Sequence, residues 1–191
     1  MCLAIFKPAG VELPEQSIRS GWISNPDGGG YAFVKEGGIE VRKNFGKLAE
    51  FYAAYKKDAE ENAGSPFVVH FRIRSMGDRS LDNTHPFEFE HGVLIHNGTL
   101  TGTGARSLEG PSDTKLFADK FGKYLTYDNV EKYKNNFEEA LGYNKIVLLY
   151  PDGRHHILNE TKGVTDNKIW YSNSTYRARA GGYPMMPLSD Y

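Results

Sequence analysis

Apolar positions along the chain fall into two kinds of run. Short stretches rich in β-branched and aromatic residues lie at 3–6, 31–35, 39–42, 67–73, 92–96, 145–150, 155–158 and 168–171, and each predicts a strand. Gly37-Gly38 and Asp152-Gly153 separate neighbouring runs and predict hairpins. From Lys47 the period changes. Leu48, Phe51, Tyr52, Tyr55 and Ala59 stand at i, i+3, i+4, i+7 and i+11, one face of a helix, with Lys56, Lys57, Asp58, Glu60 and Glu61 covering the other. Gly64-Ser65-Pro66 ends it. Pro14 opens a short helix over 14–19. Ser112 reads as the N-cap of a helix that carries Leu116, Phe117, Phe121 and Tyr124 inward, and a further helix is expected over 130–141. Residues 25–30 and 99–111 are loops by their Gly, Pro, Asn, Ser and Thr content. Strands in hairpin-like pairs around two main helical regions predict an α+β fold with antiparallel sheets.

The chain has 191 residues, enough for one domain with a real core. A single domain over 1–191 is expected, with a Gly/Pro/Met-rich tail from about 177 left unassigned. Lys and Arg number 23 against 24 Asp and Glu, a net charge of -1. That balance gives no electrostatic footprint for nucleic acid or an anionic membrane. No apolar run approaches the roughly 20 residues of a membrane-crossing helix, and residues 1–8 lack the pattern of a secretory signal. The expectation is a cytoplasmic protein with no nucleic-acid or membrane partner. One cysteine excludes an internal disulfide and a cysteine-based zinc site.

That cysteine stands at position 2. Removal of Met1 is expected before a small second residue, and it makes Cys2 the N-terminus. Thiol and free α-amine then sit on one residue, and an α-amine with a pKa near 8 shuttles protons without a histidine. The plain alternative is a chance cysteine beside a strand. Asn97-Gly98 ends a strand and offers an amide side chain and a glycine N–H, the two donor types of an oxyanion hole. The alternative is a hairpin turn, against which the loop from Thr99 argues. His70, Arg72 and Arg74 alternate along the run from Phe67, which puts them on one face. Two arginines there need anions, either a ligand carboxylate or an ion pair with Asp78 or Asp82. Asp113 lies in the first turn of its helix, where the dipole favours it, and it also suits a ligand ammonium. The six histidines show no metal-binding spacing, so no metal and no cofactor are expected.

Taken together, these positions resemble the class II glutamine amidotransferases, which are N-terminal-nucleophile hydrolases. The similarity runs in family order over about residues 2–175. It joins Met1-Cys2, Asn25-Pro26-Asp27-Gly28, His70-Phe71-Arg72-Ile73-Arg74-Ser75, Asn83-Thr84-His85-Pro86-Phe87, His96-Asn97-Gly98-Thr99-Leu100, Ser112-Asp113-Thr114 and Trp170-Tyr171-Ser172-Asn173-Ser174. The resemblance implies a four-layer αββα fold and hydrolysis of glutamine to glutamate and ammonia through a glutamyl thioester. It implies Cys2 as nucleophile with its own amine as acid and base, and Asn97 with the Gly98 N–H as oxyanion hole. It implies Arg72 on the glutamine carboxylate, Asp113 on its ammonium, Ser75 supporting the substrate and Gly28 lining the nucleophile. Arg74 stands where the family has a small residue, and Lys115 where it often has Glu. Those departures leave room for a different γ-glutamyl or acyl amide; a non-enzymatic scaffold or regulatory protein that keeps the fold is a separate alternative. Few residues follow the last match, so a separate ammonia-accepting synthase or ligase is expected.

Overall fold

The computed structural model describes residues 2–177; Met1 and the tail from 178 lie outside them. Strand β1 (Leu3–Lys7) is buried along its whole length because both of its faces meet apolar side chains. Leu3 and Ile5 enter one cluster, Ala4 and Phe6 another. β1 lies inside a six-stranded sheet with β2 (Gly29–Lys35), β3 (Gly38–Phe45), β4 (Phe67–Phe71), β9 (Val164–Asp166) and β10 (Ile169–Tyr171). The order is β3-β2-β4-β1-β10-β9, and every neighbouring pair is antiparallel. A second antiparallel sheet holds β5 (Phe87–Phe89), β6 (Gly92–Asn97), β7 (Lys145–Leu149) and β8 (His155–Leu158) in sequence order. The fold is therefore α+β with two antiparallel sheets.

Three apolar clusters hold these elements. Ala4, Phe6, Val68 and Trp170 of the first sheet meet Val93, Ile95, Val147 and Leu149 of the second. The alternate residues of the first sheet, such as Ile5, Tyr31, Val69 and Phe71, pack with Ile18 and Trp22 of α1 (Glu15–Ser24) and Leu48, Phe51 and Tyr55 of α2 (Leu48–Glu61). Leu94, Ile146 and Leu148 of the second sheet pack with Ala118 of α3 (Asp113–Phe121), Val130 of α4 (Tyr127–Lys132) and Leu141 of α5 (Lys134–Leu141). Central strands such as β1 and β7 thus serve two cores by their period of two. Each large side chain so buried contributes about 1.5–3 kcal/mol.

The structure corrects several sequence expectations. α1 continues to Ser24 rather than ending at 19, because Ile18 and Trp22 carry its buried face onward. It passes through Gly21, where a Cβ would stand 2.6 Å from the Phe71 ring, so β4 packs directly on the helix backbone. The helix expected over 130–141 is two helices with a break at Tyr133. Phe121 and Tyr124 are 37% and 55% exposed, since α3 ends at Phe121 and a 3-10 turn shifts the period. Asp58, assigned to the polar face of α2, is buried; it accepts a hydrogen bond from the Tyr31 hydroxyl at 2.8 Å and lies 3.4 Å from Arg42. β5 and β9 went unread, being three-residue strands at sheet edges with too little length for a period. β4 stops at Phe71, so Arg72 and Arg74 lie beyond it rather than along its face.

Candidate active site

The start of β1 is fixed from three sides. Leu3 pairs with Phe71 of β4. The Ser172 N–H donates to the Ala4 carbonyl and the Ala4 N–H to the Ser172 hydroxyl, each at 2.9 Å, which ties β1 to the end of β10. The Cys2 carbonyl accepts from Asn97 Nδ2 at the end of β6 and from Asn173 Nδ2 at 2.7 Å. The two sheets therefore converge on one residue. The Cys2 thiol donates to the Ile73 carbonyl at 3.2 Å and accepts from the Ile73 N–H at 3.4 Å. Burial pushes the thiol pKa up, while the bond with the Ile73 backbone pulls it down. The net direction is upward, so the group is a thiol at neutral pH and needs a base to become a nucleophile. Among the described residues, Ile73 alone bonds the sulfur, and no side-chain base does.

Two hollows open at Cys2 and share Ile73, Ser75 and Gly98. The smaller, about 20 Å³, reaches Arg72, Met76, His85 and Asp113. The larger, about 400 Å³, reaches Arg74, Thr99, Tyr143 and Asn144. Arg72 is buried and donates to the carbonyls of Asp78 (2.8 Å), Met76 (3.2 Å) and Ser80 (3.4 Å). Among the described residues Arg72 forms no ion pair with Asp78 or Asp82, the alternative weighed from the sequence: its guanidinium bonds to carbonyls, and the Asp27 and Asp78 carboxylates act on it only at longer range. Asp113 is also buried, and its carboxylate accepts the Leu100 N–H at 2.6 Å, fixing the loop after Gly98. Ser112 caps α3, accepting the Lys115 N–H at 3.2 Å. Lys115 itself turns to Asp119 at 2.7 Å and lines neither hollow.

Gly98 has φ of +145°, a conformation L side chains rarely adopt. A Cβ there would lie 2.0 Å from Asn144 Oδ1 and 3.0 Å from His96 Nε2. Gly28, φ +117°, sits behind the site: its carbonyl accepts the Arg72 N–H at 2.8 Å, and it touches neither hollow. The neighbouring Asp27 accepts the Arg74 N–H at 2.9 Å, so the 25–28 turn holds the segment that carries both arginines. Ser75 is exposed at the mouth of both hollows.

Behind Cys2, three buried histidines form a hydrogen-bonded chain. His70 Nε2 donates to the His96 carbonyl at 3.0 Å, so its Nδ1 is an acceptor, and His85 Nδ1 donates to it at 3.2 Å. His96 Nε2 donates to Asn144 Oδ1 at 2.9 Å and its Nδ1 accepts from the Thr114 hydroxyl at 2.8 Å. Each ring carries one proton and is neutral. Burial lowers all three pKa values, His70 to about 3. Among the described residues no group of three or more His, Cys, Asp or Glu is arranged to hold a metal. A folded-state pKa below the unfolded value near 6.5 means the unfolded chain binds more protons in acid. Stability is therefore present above pH 6.5 and is lost as pH falls from 6.5 towards 3. By pH 5, His70 alone costs about 2 kcal/mol. Urea unfolding at pH 7 and pH 5 checks this, and equal midpoints would contradict it.

Sequence reasoning named Cys2, Arg72, Ser75, Gly98 and Asp113 as one constellation, and the structure brings them around one sulfur. Asn97 joins them through the Cys2 carbonyl. Sequence reasoning missed the roles of Asp27, Tyr143, Asn144, Ser172 and Asn173. Asn173 follows the late strand of the resemblance, which was the signal for it; Asn144 becomes visible only when β7 pairs with β6.

No protein-family model matches the chain. Among the described residues no helix is long and apolar enough to cross a membrane. Over 165 residues the chain is 28% identical to an uncharacterized protein of Methanocaldococcus jannaschii, covering 78% of this chain and 46% of that one. It is 29% identical over 127 residues to the glutamine–fructose-6-phosphate aminotransferase (isomerizing) of Bacillus licheniformis, covering 64% of this chain and 20% of that enzyme. The Bacillus subtilis enzyme of the same name is 30% identical over 95 residues, 49% of this chain and 15% of the enzyme. The chain spans less than half the length of these curated relatives. It is thus a distant relative, over part of its length, of enzymes named as glutamine–fructose-6-phosphate aminotransferases.

Proposed function

We propose that the protein hydrolyses the side-chain amide of glutamine through a Cys2 thioester, as a class II glutamine amidotransferase of the N-terminal-nucleophile type. The observation that carries this reading is the placement of Cys2: both sheets clamp its carbonyl while its thiol opens onto two hollows. The distant similarity to enzymes that use glutamine supports it. So do helices packed on both sheets and the shared core between the sheets, which fit a four-layer arrangement.

In this mechanism removal of Met1 frees the Cys2 amine. That amine takes the thiol proton, which the raised thiol pKa makes necessary. Sulfur bonds to the amide carbon, and the Gly98 N–H and Asn97 Nδ2 receive the oxyanion. Asn97 leaves the Cys2 carbonyl to do so, and Asn173 keeps that carbonyl bonded. The Oδ1 of Asn97, buried and without a partner among the described residues, does not hold it in its present orientation. The C–N bond breaks, ammonia leaves with the amine's proton, and water then splits the thioester. Arg72 draws the substrate carboxylate, and Asp113 the ammonium. Ser75, at the mouth, supports the substrate, and Gly28 holds the Arg72 backbone from behind. The test is release of glutamate and ammonia from millimolar glutamine by the purified chain. No release from protein that lacks Met1 overturns the reading.

A further inference from the structure

Ammonia is about as large as water, whose share of liquid volume is about 30 Å³. The smaller hollow, about 20 Å³, has room for about one water, so a substrate bound at Cys2 extends into the larger one. That space is about 400 Å³, far more than ammonia needs. Its walls are also specific. Arg74 lines it, and among the described residues its guanidinium forms no ion pair and no hydrogen bond; only its backbone N–H is engaged, by Asp27. Tyr143 stands at the rim, 88% exposed; among the described residues its ring pairs with no other aromatic ring, and the Lys162 ammonium lies 5.5 Å from its centre. A guanidinium unpaired among the described residues and an exposed aromatic ring lining one hollow suit an anionic group on an apolar body.

We infer that this groove binds the leaving amine of the substrate, and that the preferred substrate is an N-substituted γ-glutamyl amide whose amine carries a carboxylate, as in a γ-glutamyl amino acid. Arg74 reads the carboxylate and Tyr143 packs on the side chain. The inference rests on the hydrolase reading above. The chemistry balances in the same way: sulfur bonds to the acyl carbon, the C–N bond breaks, and the leaving amine takes the proton the thiol lost. Water then hydrolyses the thioester to the acid and restores the thiol.

The test compares kcat/KM for γ-glutamylphenylalanine and for glutamine in the wild type and in Arg74→Ala and Arg74→Lys variants. The wild type is expected to favour γ-glutamylphenylalanine. Arg74→Ala lowers the ratio of the two values about tenfold or more, the scale of one charge-assisted hydrogen bond to a carboxylate, and Arg74→Lys restores part of it. Turnover of glutamine without turnover of γ-glutamylphenylalanine overturns this inference alone, as does a ratio that Arg74→Ala leaves unchanged. Turnover of neither amide overturns the hydrolase reading and this inference with it.

Discussion

Replacement of Cys2 by serine lowers glutamine hydrolysis by roughly a thousandfold or more, the scale seen when a nucleophile is removed from a working catalytic unit. The substitution is nearly isosteric. A serine hydroxyl still fits between the Ile73 N–H and carbonyl, which now hold the thiol at 3.4 and 3.2 Å, so thermal unfolding changes little. The chemistry changes much more. An α-amine with a pKa near 8 is a far better base for a thiol, even one whose pKa burial pushes up, than for a hydroxyl. The measurement is glutamate release beside a thermal melt of the same preparation. A serine variant within tenfold of wild type would remove the thiol from the mechanism, and with it the reason for reading Cys2 as more than a strand-end residue.

Gly98→Ala is expected to cost both folding and activity. Its φ of +145° strains any residue with a Cβ, at about 1–3 kcal/mol. That Cβ would also sit 2.0 Å from Asn144 Oδ1, the acceptor of the His96 hydrogen bond, so Asn144 must move and His96 loses its partner. The shift carries to the Gly98 N–H itself, one of the two proposed oxyanion donors, whose loss typically costs 100-fold or more in kcat. A lower urea midpoint together with at least a 100-fold loss of kcat is the expected result. Thr101→Ala, three residues on, exposed and lining neither hollow, is the control for the loop. A Gly98→Ala protein with wild-type stability and turnover would show that neither the backbone conformation nor the N–H matters.

Much of the fold was legible because the strands carry their own signal. Leu3 to Phe6 and Ile146 to Leu149 read as unbroken apolar runs, and they are unbroken because each strand feeds two cores. The period-3.6 stripe of Leu48, Phe51 and Tyr55 appears as α2 with the expected bounds. The failures have two causes, tertiary context and a local period that is too short or that breaks. Asp58 looked like a solvent-facing charge, yet β2 and β3 bring Tyr31 and Arg42 to it. Phe121 and Tyr124 looked buried by spacing, yet the chain leaves the α-helical period between them. At the site, residue types announced themselves where the chemistry is unusual: a cysteine at position 2, Asn97-Gly98 after a strand, and Arg72 after another. What spacing cannot reveal is which partner each group already has. Arg72 is engaged by loop carbonyls, Asp113 by the Leu100 N–H and Asn97 by the Cys2 carbonyl, all contacts distant in sequence or made through the backbone.

The central claim is that Cys2 is the N-terminal residue and the nucleophile. The most direct measurement is the intact mass of the purified protein, before and after exposure to the glutamine-like electrophile diazo-oxo-norleucine. The account predicts a chain that lacks one methionine residue and gains a single adduct, mapped to Cys2, with loss of glutaminase activity in step with labelling. A protein that retains Met1 while turning over glutamine, or one that is inactivated with Cys2 unlabelled, would contradict it.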